Sequence, residues 1–479
     1  MLHLKLAATA LVAVLALPAA AQAGHRPIET AVQGPAHQAG GALNMEVVGQ
    51  HNLGGRGYNA DVWVHEEHAY VGSWGFSDWN TGGEERFCPN DGVAVIDSRN
   101  PAKPRQVSTL VSPVGTSAED VVVFTAQFGP LAGRDIAAVG IQVCGGSRYD
   151  VTIFRGLQLF DVTNPAAPME IGNRLDTGCC TRGLHELEFQ HRPDLRRTFV
   201  YASVPASEYP DALSPTGVRD QRMPPRGDFR LIDVTDPALP LEVSDWGVVK
   251  DTGGPLGPGL GCDPDPIFGH SVEPSADGTL AFVSYWDSGF VALDVTDPAT
   301  PVLRGTTSYE SDEDGDGHSS NFDEDRELLF TADEDFCKTS GSGTEKGFGY
   351  LRVYDYSGLD SPGPVSPEQI GEYRTPNSSG SKDVGAGDYT IHNPLIVGTD
   401  LYISWYSDGI RVVDAADPRN LREVAFFVPP SAKNPVQPSQ RGTLTNSTQV
   451  WGVAYDHSTD LVYASDMNSG LWILRRTRP

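Results

Sequence analysis

The sequence has little positive charge and, beyond its first residues, no long apolar run. It contains 35 lysines and arginines against 63 aspartates and glutamates, a net charge of −28 over 479 residues. Nucleic acids and anionic membrane surfaces attract basic proteins, so this balance argues against both as partners. After residue 17 no segment is apolar for long enough to span a bilayer. The sequence also lacks G-x-S-x-G, Walker and H-E-x-x-H motifs, so it shows no familiar catalytic signature.

The N-terminal segment has the features of a secretory signal. Lys5 precedes an apolar run over residues 6–17, and Ala21-Gln22-Ala23 matches a cleavage site. We therefore predict a signal peptide over residues 1–23 and a secreted or periplasmic product. Residues 24–44 show no apolar period and are predicted to form a flexible leader.

Cysteine is scarce, but its number is even. An even count in an exported chain favours disulfides, although six cysteines allow fifteen sets of pairs and the sequence does not choose among them. The disulfide candidates are Cys88, Cys144, Cys179, Cys180, Cys262 and Cys337.

An internal repeat organises the chain after residue 45. Six segments consist of an apolar run that ends in aspartate and is followed by a turn rich in Asp, Asn and Pro, as in GLQLFDVTNPAAP (156–168) and GFVALDVTDPATP (289–301). A seventh segment, GLWILRRTRP, occupies residues 470–479. Such a period indicates a repeat architecture. The shared aspartates are Asp97, Asp161, Asp233, Asp294, Asp355 and Asp414.

Each unit carries four strand signals, which are short apolar or alternating runs bounded by Gly, Pro, Asn and Asp. In the turns, the Asp and Asn side chains are predicted to accept hydrogen bonds from nearby backbone N–H groups. Four strands at a period near 60 residues are typical of a propeller blade. The seven units therefore predict an all-β fold, a seven-bladed β-propeller of four-stranded blades.

The two ends of the repeat region complement each other. The last unit stops after its third strand, at residues 471–474, whereas residues 45–50 resemble a fourth strand without a blade. We predict that this N-terminal strand closes the last blade, which removes an open edge. Residues 45–479 would then form a single domain.

The motifs LFDVTNP, LIDVTDP, ALDVTDP and VVDAADP resemble the LVIVD repeat family, a group of mostly bacterial exported β-propellers. The resemblance covers all seven units and implies a propeller fold. It implies no activity, because the family is named for its repeat and a shared fold does not carry a function by itself.

The long insertions are all predicted to open on the same end of the blades, which we call the insertion-rich face. Loops longer than about 12–15 residues are often functional. This face is therefore the predicted binding surface for a protein, a glycan or a small molecule. The insertions cover residues 75–91, 144–155, 204–227, 250–268, 309–317, 333–349 and 375–390.

One repeat position, at the start of the first strand of each unit, is rich in histidine. In a propeller the first strand lines the central channel, so these side chains are predicted to converge near the axis. Histidines with a carboxylate suit iron, copper or zinc. The same residues could instead hydrogen-bond neighbouring blades or line a wet channel. The candidate metal ligands are Glu119, His185, His270, His318 and His392, and the same position holds Ala60 and Trp451 in the outermost units.

A second candidate site is the acidic loop Asp312-Glu313-Asp314-Gly315-Asp316-Gly317, which is similar to the Ca²⁺ loop of an EF-hand. The predicted Ca²⁺ ligands are Asp312, Asp314 and Asp316. Helices that would flank an EF-hand are missing, and Asp323, at the twelfth position, is predicted to lie too far away to close the site. A solvated acidic loop is the alternative.

These features leave three functions open. The first is an exported binding scaffold that acts through the insertion-rich face and is stabilised by a cation. The second is a metal-dependent enzyme, an oxidoreductase with an axial four-histidine centre. The third is a structural envelope protein. The sequence favours the scaffold, because it contains no recognisable nucleophile–base pair.

Overall fold

The computed structural model consists almost entirely of β-strands. Within the described residues the helical segments are a 3-10 turn at Leu53–Gly55 and a π turn at Val248–Thr252. No helix in these ranges is long and apolar enough to cross a membrane. The predicted signal peptide and the leader up to residue 37 lie outside them. The described residues are 38–77, 85–145, 150–178, 181–205, 207, 226–254, 267–309, 315–336, 348–359, 361, 363–378, 387–436 and 446–477.

The third, fourth and fifth repeat units each form a sheet of four antiparallel strands that pair in chain order. In each sheet the third strand ends at the shared aspartate of the motif. The strands of these sheets are Leu187–Arg192, Arg197–Ser203, Phe229–Asp233 and Leu241–Trp246; Phe268–Pro274, Leu280–Trp286, Gly289–Asp294 and Val302–Thr306; Gly317–Asp323, Leu328–Asp333, Leu351–Asp355 and Glu368–Tyr373.

The first two units are joined into one nine-stranded sheet by the single pair Ser73 and Ala118. A short hairpin of Phe76–Ser77 and Glu85–Phe87 lies in the first insertion. The strands of the large sheet are Asn59–His65, His68–Ser73, Val93–Asp97, Arg105–Leu110, Thr116–Thr125, Asp135–Val143, Gly156–Asp161, Met169–Glu170 and Leu175–Asp176.

The last sheet uses both ends of the repeat region, as the sequence predicts. Met45–His51 pairs antiparallel with Gly470–Arg476. Gly470–Arg476 also pairs with Leu461–Asp466, which in turn pairs with Val450–Asp456. The N-terminal strand therefore supplies the fourth strand of the last unit.

The sixth unit differs from the prediction, because it gains a fifth strand from the leader. Its own strands are Pro394–Val397, Asp400–Ser404, Ile410–Asp414 and Arg422–Phe427. Ala42–Leu43, predicted to be flexible, pairs with Phe426 and Phe427. The free backbone groups of an edge strand attract such pairing, so the leader ends earlier than residue 44.

The first strands of the seven units, which we call the inner strands, are neighbours in space. Each contacts the next, and Val450–Asp456 contacts Asn59–His65. They surround a common space, the central channel, and give the sheets a β-propeller-like arrangement. The inner strands are Asn59–His65, Thr116–Thr125, Leu187–Arg192, Phe268–Pro274, Gly317–Asp323, Pro394–Val397 and Val450–Asp456.

The turn chemistry predicted for the repeat motif is confirmed. Asp161 Oδ1 accepts from the backbone N–H of Thr163 at 3.1 Å, and Asp294 Oδ1 accepts from that of Thr296 at 2.9 Å. The other four shared aspartates accept the same i+2 bond. Each bond holds the chain in the turn that ends the third strand.

Candidate metal centre

A β-bulge lies near the start of several inner strands, at the histidine-rich position. The pairing with the second strand shifts between Gly269 and Ser271, which leaves His270 as the extra residue. The same shift leaves His318 and Trp451 as extra residues in their strands. A bulge re-aims a side chain and interrupts the alternation of the two faces. The bulges therefore help to turn these rings into the central channel.

Four histidine rings form a continuous row across the channel. The ring centroids of His185 and His270 are 4.2 Å apart, those of His270 and His318 4.0 Å, and those of His318 and His392 4.1 Å. All four side chains are buried. The row ends on Trp451, whose ring lies 4.5 Å from that of His392. The repeat position thus brings these residues together, as predicted.

Glu119 stands at the other end of the row. Its Oε2 lies 2.5 Å from His185 Nδ1 and accepts a hydrogen bond from Gln142 Nε2 at 2.9 Å. His185 Nε2 faces His270 Nε2 at 2.8 Å, a hydrogen bond between neighbouring units. Burial raises the pKa of Glu119 to about 8, while burial and then the Arg182 charge lower the pKa of His185. Without a metal, both groups are therefore neutral near pH 7.

Two more glutamates flank the row. Glu186 Oε1 lies 3.6 Å from His270 Nδ1 and 3.9 Å from His318 Nε2. Glu334 Oε2 lies 3.6 Å from His318 Nε2, and its Oε1 lies 3.8 Å from His392 Nε2. Burial, reinforced by neighbouring carboxylates, raises the pKa of both glutamates. The row thus combines imidazole nitrogens with carboxylate oxygens in a buried setting.

The histidine-rich repeat position does not indicate Glu334, which directly follows the second strand Leu328–Asp333 of its unit. The structure turns it toward the histidines, where the Tyr406 hydroxyl donates a hydrogen bond to Oε1. The register of the hairpin could have indicated this position. Gly317 pairs with Asp333, so the next residue, Glu334, lies alongside Asp316, and the Glu334 N–H donates to the Asp316 carbonyl at 2.8 Å.

Several imidazole nitrogens in the row make no hydrogen bond of good geometry within the described part of the chain: His270 Nδ1 and both ring nitrogens of His318 and His392, whose rings the backbone groups of His392 and Trp451 only approach. Within the row, two sets of three possible ligand atoms lie within 4.8 Å of one another. With zinc–nitrogen bonds of about 2.0–2.1 Å, tetrahedral ligands are about 3.4 Å apart, so small side-chain shifts would allow coordination. The sets are His185, Glu186 and His270, and His270, His318 and Glu334.

The calcium prediction rests mostly on residues outside the described ranges. Asp312 and Asp314 lie there, whereas Asp316 is described and buried at the entry to its inner strand. Asp323 lies at the opposite end of that strand, where it accepts from Arg326 Nε at 2.6 Å. Asp323 is thus engaged elsewhere, and the calcium site stays a prediction.

One disulfide is present among the described cysteines. Cys88 bonds to Cys144, which joins the insertion of the first unit to that of the second. This bond fits the predicted disulfide chemistry of an oxidising compartment. Four candidates lie outside the described residues: Cys179, Cys180, Cys262 and Cys337.

The buried acid at the end of the row predicts a pH effect on stability. The folded, metal-free protein keeps the Glu119 proton up to a pKa of about 8, against an ordinary value of 4.5. Its contribution to stability is fully present below pH 4.5 and is lost as the pH rises through 8. Glu119→Gln cannot ionise. We expect the variant to gain stability relative to the wild type between pH 5 and pH 8, by up to about 1.4 kcal/mol per pH unit.

Urea unfolding of both proteins at the two pH values, with a chelator present, measures this difference. Glu67→Gln, at an exposed position, is the control and should follow the wild type at both pH values. Parallel pH profiles for Glu119→Gln and the wild type would contradict the prediction.

The fold and the site define an all-β repeat protein whose β-propeller-like sheets surround a buried row of histidines. The family model of the LVIVD repeat matches residues 56–76 and 269–308, so the resemblance seen in the repeat motif is confirmed and the chain carries LVIVD repeats. No curated protein matches the sequence. Among solved structures, the chain is similar to Raptor from Chaetomium thermophilum, with a TM-score of 0.48 and 10% identity. The match covers 91% of this chain and 30% of that one.

Proposed function

We propose that this chain is an exported, seven-bladed β-propeller scaffold that holds a transition-metal ion in its central channel. The mutual contacts of the seven inner strands support closure into seven blades. The Cys88–Cys144 disulfide supports export, because disulfides persist in oxidising compartments.

The row of buried, unpaired imidazole nitrogens carries the metal proposal. A buried polar atom without a partner costs about 1–3 kcal/mol. In the described part of the chain, His318 and His392 have two such nitrogens each and His270 has one. A bound cation would compensate one nitrogen of each ring, since a neutral imidazole offers a single lone pair to a metal.

The donor set favours a transition metal over calcium. Calcium binds oxygen ligands, whereas imidazole with carboxylate suits iron, copper and zinc. His270, His318 and Glu334 would hold the ion, with His185 and Glu186 as the adjoining set. Glu119 would orient His185 through its Nδ1 atom, the role that carboxylates play behind metal-binding histidines.

Partner binding through the insertion-rich face belongs to the same proposal. The disulfide between the first two insertions supports it, because a covalent link fixes the relative positions of two loops on that face. An oxidoreductase is the second candidate function. Arg182, a half-buried cation close to Glu119 and His185, favours it because a guanidinium next to a redox metal would attract an anionic substrate.

Elemental analysis of the mature protein tests the metal proposal. The protein is purified from an exporting host without a chelator or a histidine tag, beside the double variant His270→Ala/His318→Ala. We expect near-stoichiometric iron, copper or zinc in the wild type and its loss in the variant. His191→Ala is the matched control, because this histidine lies on an inner strand but bonds Thr198 Oγ1 instead of joining the row.

Two results would overturn the proposal. One is a wild type that is purified without metal and also fails to bind added Co²⁺. The absorption spectrum of bound Co²⁺ reports which ligands hold it, and this measurement needs only the wild type. The other is calcium alone, unchanged in the variant, which would move the site to Asp312–Asp316. Oxygen consumption with oxidisable substrates by the loaded wild type, and none by the double variant, would favour the oxidoreductase.

A further inference from the structure

A second site lies in the central channel, next to the histidine row. A cavity of about 370 Å³ is lined by residues from all seven inner strands or their ends. Glu186 borders both the row and this cavity, but the four histidines of the row are not part of its lining. The cavity is therefore a separate compartment, with Glu186 at the boundary.

The lining is strongly acidic. It contains five carboxylates and one histidine, His457, which lies near the far end of the channel. Several of the carboxylates are close enough to repel one another. The charge of Asp120 raises the pKa of Asp61, and the charge of Glu273 raises the pKa of Glu188. Burial raises the pKa of all five carboxyl groups, so several of them hold a proton in the empty cavity, and a bound cation, unlike an anion or a neutral molecule, would stabilise their ionised form. The carboxylates are Asp61, Asp120, Glu186, Glu188 and Glu273.

Neutral groups donate hydrogen bonds to these carboxylates. Asp61 accepts from Asn393 Nδ2 at 2.9 Å and Trp451 Nε1 at 3.3 Å, and Glu273 accepts from Asn321 Nδ2 at 2.8 Å. Amide and indole donors orient a carboxylate but do not neutralise its charge. A cationic ligand would supply the positive charge that keeps these carboxyl groups ionised.

Ser320 Oγ in the lining points independently to a ligand, whereas Glu186 Oε1 also faces the histidine row. Glu186 Oε1 and Ser320 Oγ have no hydrogen-bond partner within the described ranges. Both residues are only 8% exposed and both line the cavity. Asn393 Oδ1, on a half-buried side chain, is a third acceptor without a partner in the same part of the chain. A ligand with more than one N–H donor would satisfy these atoms.

Much of the remaining wall is apolar or aromatic. Val272 and Leu395 offer aliphatic surface, and the rings of Trp63 and Tyr455 add aromatic surface. Trp63 is fixed by a hydrogen bond from Nε1 to the Val123 carbonyl at 3.0 Å. Aliphatic walls suit methylene groups, and aromatic faces attract organic cations. The volume exceeds that of a single ion and lies at the lower end of the range of small-molecule sites.

We propose that this cavity binds a small aliphatic diamine or polyamine. The ammonium groups would pair with Glu188, Glu273 and the inner carboxylates, and the methylene chain would lie along the apolar wall. The proposal goes beyond the metal centre and shares only Glu186 with it, so its test changes Glu188 and Glu273, which are not among the proposed metal ligands.

Isothermal titration calorimetry of the metal-free mature protein with spermidine and 1,4-diaminobutane tests the proposal. We expect saturable one-to-one binding of spermidine that weakens at high salt, and no binding of 1,4-butanediol, the neutral analogue of the diamine. The wild type alone answers this question. In the variant Glu188→Gln/Glu273→Gln we expect at least tenfold weaker spermidine binding, while Glu67→Gln should bind like the wild type.

Three outcomes would overturn the proposal: no heat with either amine, equal affinity in Glu188→Gln/Glu273→Gln and wild type, or binding of Ca²⁺ or Mg²⁺ that the amines do not displace. The last would assign the cavity to a hydrated metal ion. The metal content of the glutamine variant should match that of the wild type, so failure of the amine site is distinguishable from failure of the histidine centre.

Discussion

A chain that lacks residues 38–51 is expected to lose most of its stability. The strand Met45–His51 pairs with Gly470–Arg476 along its whole length. Met45 lies opposite Arg476 at one end, and His51 lies opposite Leu471 at the other. About six backbone hydrogen bonds at roughly 1 kcal/mol each would be lost, together with about 1.5–3 kcal/mol from burial of Met45. The sum is comparable to the whole stability of a typical domain, about 5–15 kcal/mol.

The loss would also change solution behaviour. Without Met45–His51 the last sheet presents the edge of Gly470–Arg476, and exposed edges pair with other chains. We therefore expect aggregation on mild warming, measured by light scattering alongside urea unfolding. A chain lacking only residues 1–37 keeps the strand and is the control.

A peptide of residues 42–52 provides a direct check on this mechanism. Added in excess to the shortened chain, it should restore part of the lost stability, because the missing strand acts through backbone pairing, which a separate peptide can also provide. A shortened chain that unfolds like the control, or a destabilised one that the peptide does not rescue, would show that the N-terminal strand does not close the sheet.

The second large effect is expected from a buried arginine. The Arg352 side chain is 2% exposed; its Nε lies 2.5 Å from Asp333 Oδ2 and its guanidinium 4.4 Å from the centre of the Tyr350 ring. Arg352→Met would leave the equally buried Asp333 without its cation. Removing one partner of a buried ion pair typically costs about 3–5 kcal/mol, and we expect a loss of that size in urea unfolding.

A surface pair in the same protein offers the matched control. Arg475 Nη1 lies 3.0 Å from Glu46 Oε1, but about half of each side chain is exposed. Arg475→Met should cost less than about 1 kcal/mol, because exposed pairs contribute little. Equal losses in the two variants would refute the role of burial. The double variant Arg352→Met/Asp333→Leu should recover part of the loss, since it removes the uncompensated charge.

Much of the fold could be predicted from the sequence because the same strand-and-turn motif occurs six times along the chain. The shared aspartates end the third strands, and the turn hydrogen bonds follow from side chains that reach the backbone two residues on. The pairing of residues 45–51 with the last unit could also be predicted, since the two ends were complementary fragments of one sheet. Ala42–Leu43 could not, because two exposed residues carry no strand period.

The candidate site was predictable only in part. A shared repeat position sufficed to bring the four histidines together, because repeated units place equivalent residues around one axis. The flanking glutamates needed more information. Glu186 follows His185 directly, so strict alternation would send the two to opposite faces, yet both border the channel. Glu334 enters from the second strand of another unit, at a place set by hairpin register.

The sequence by itself thus determined the repeat, the strand pattern of each unit and the ring of equivalent positions, because these depend on local periodicity and turn chemistry. Only the tertiary structure decided which buried nitrogens lack partners, where Glu334 lies and how five carboxylates share one cavity with Trp63 and Tyr455. Those properties arise between units that are far apart in the chain. They depend on bulges and sheet packing, which no local pattern of residues encodes.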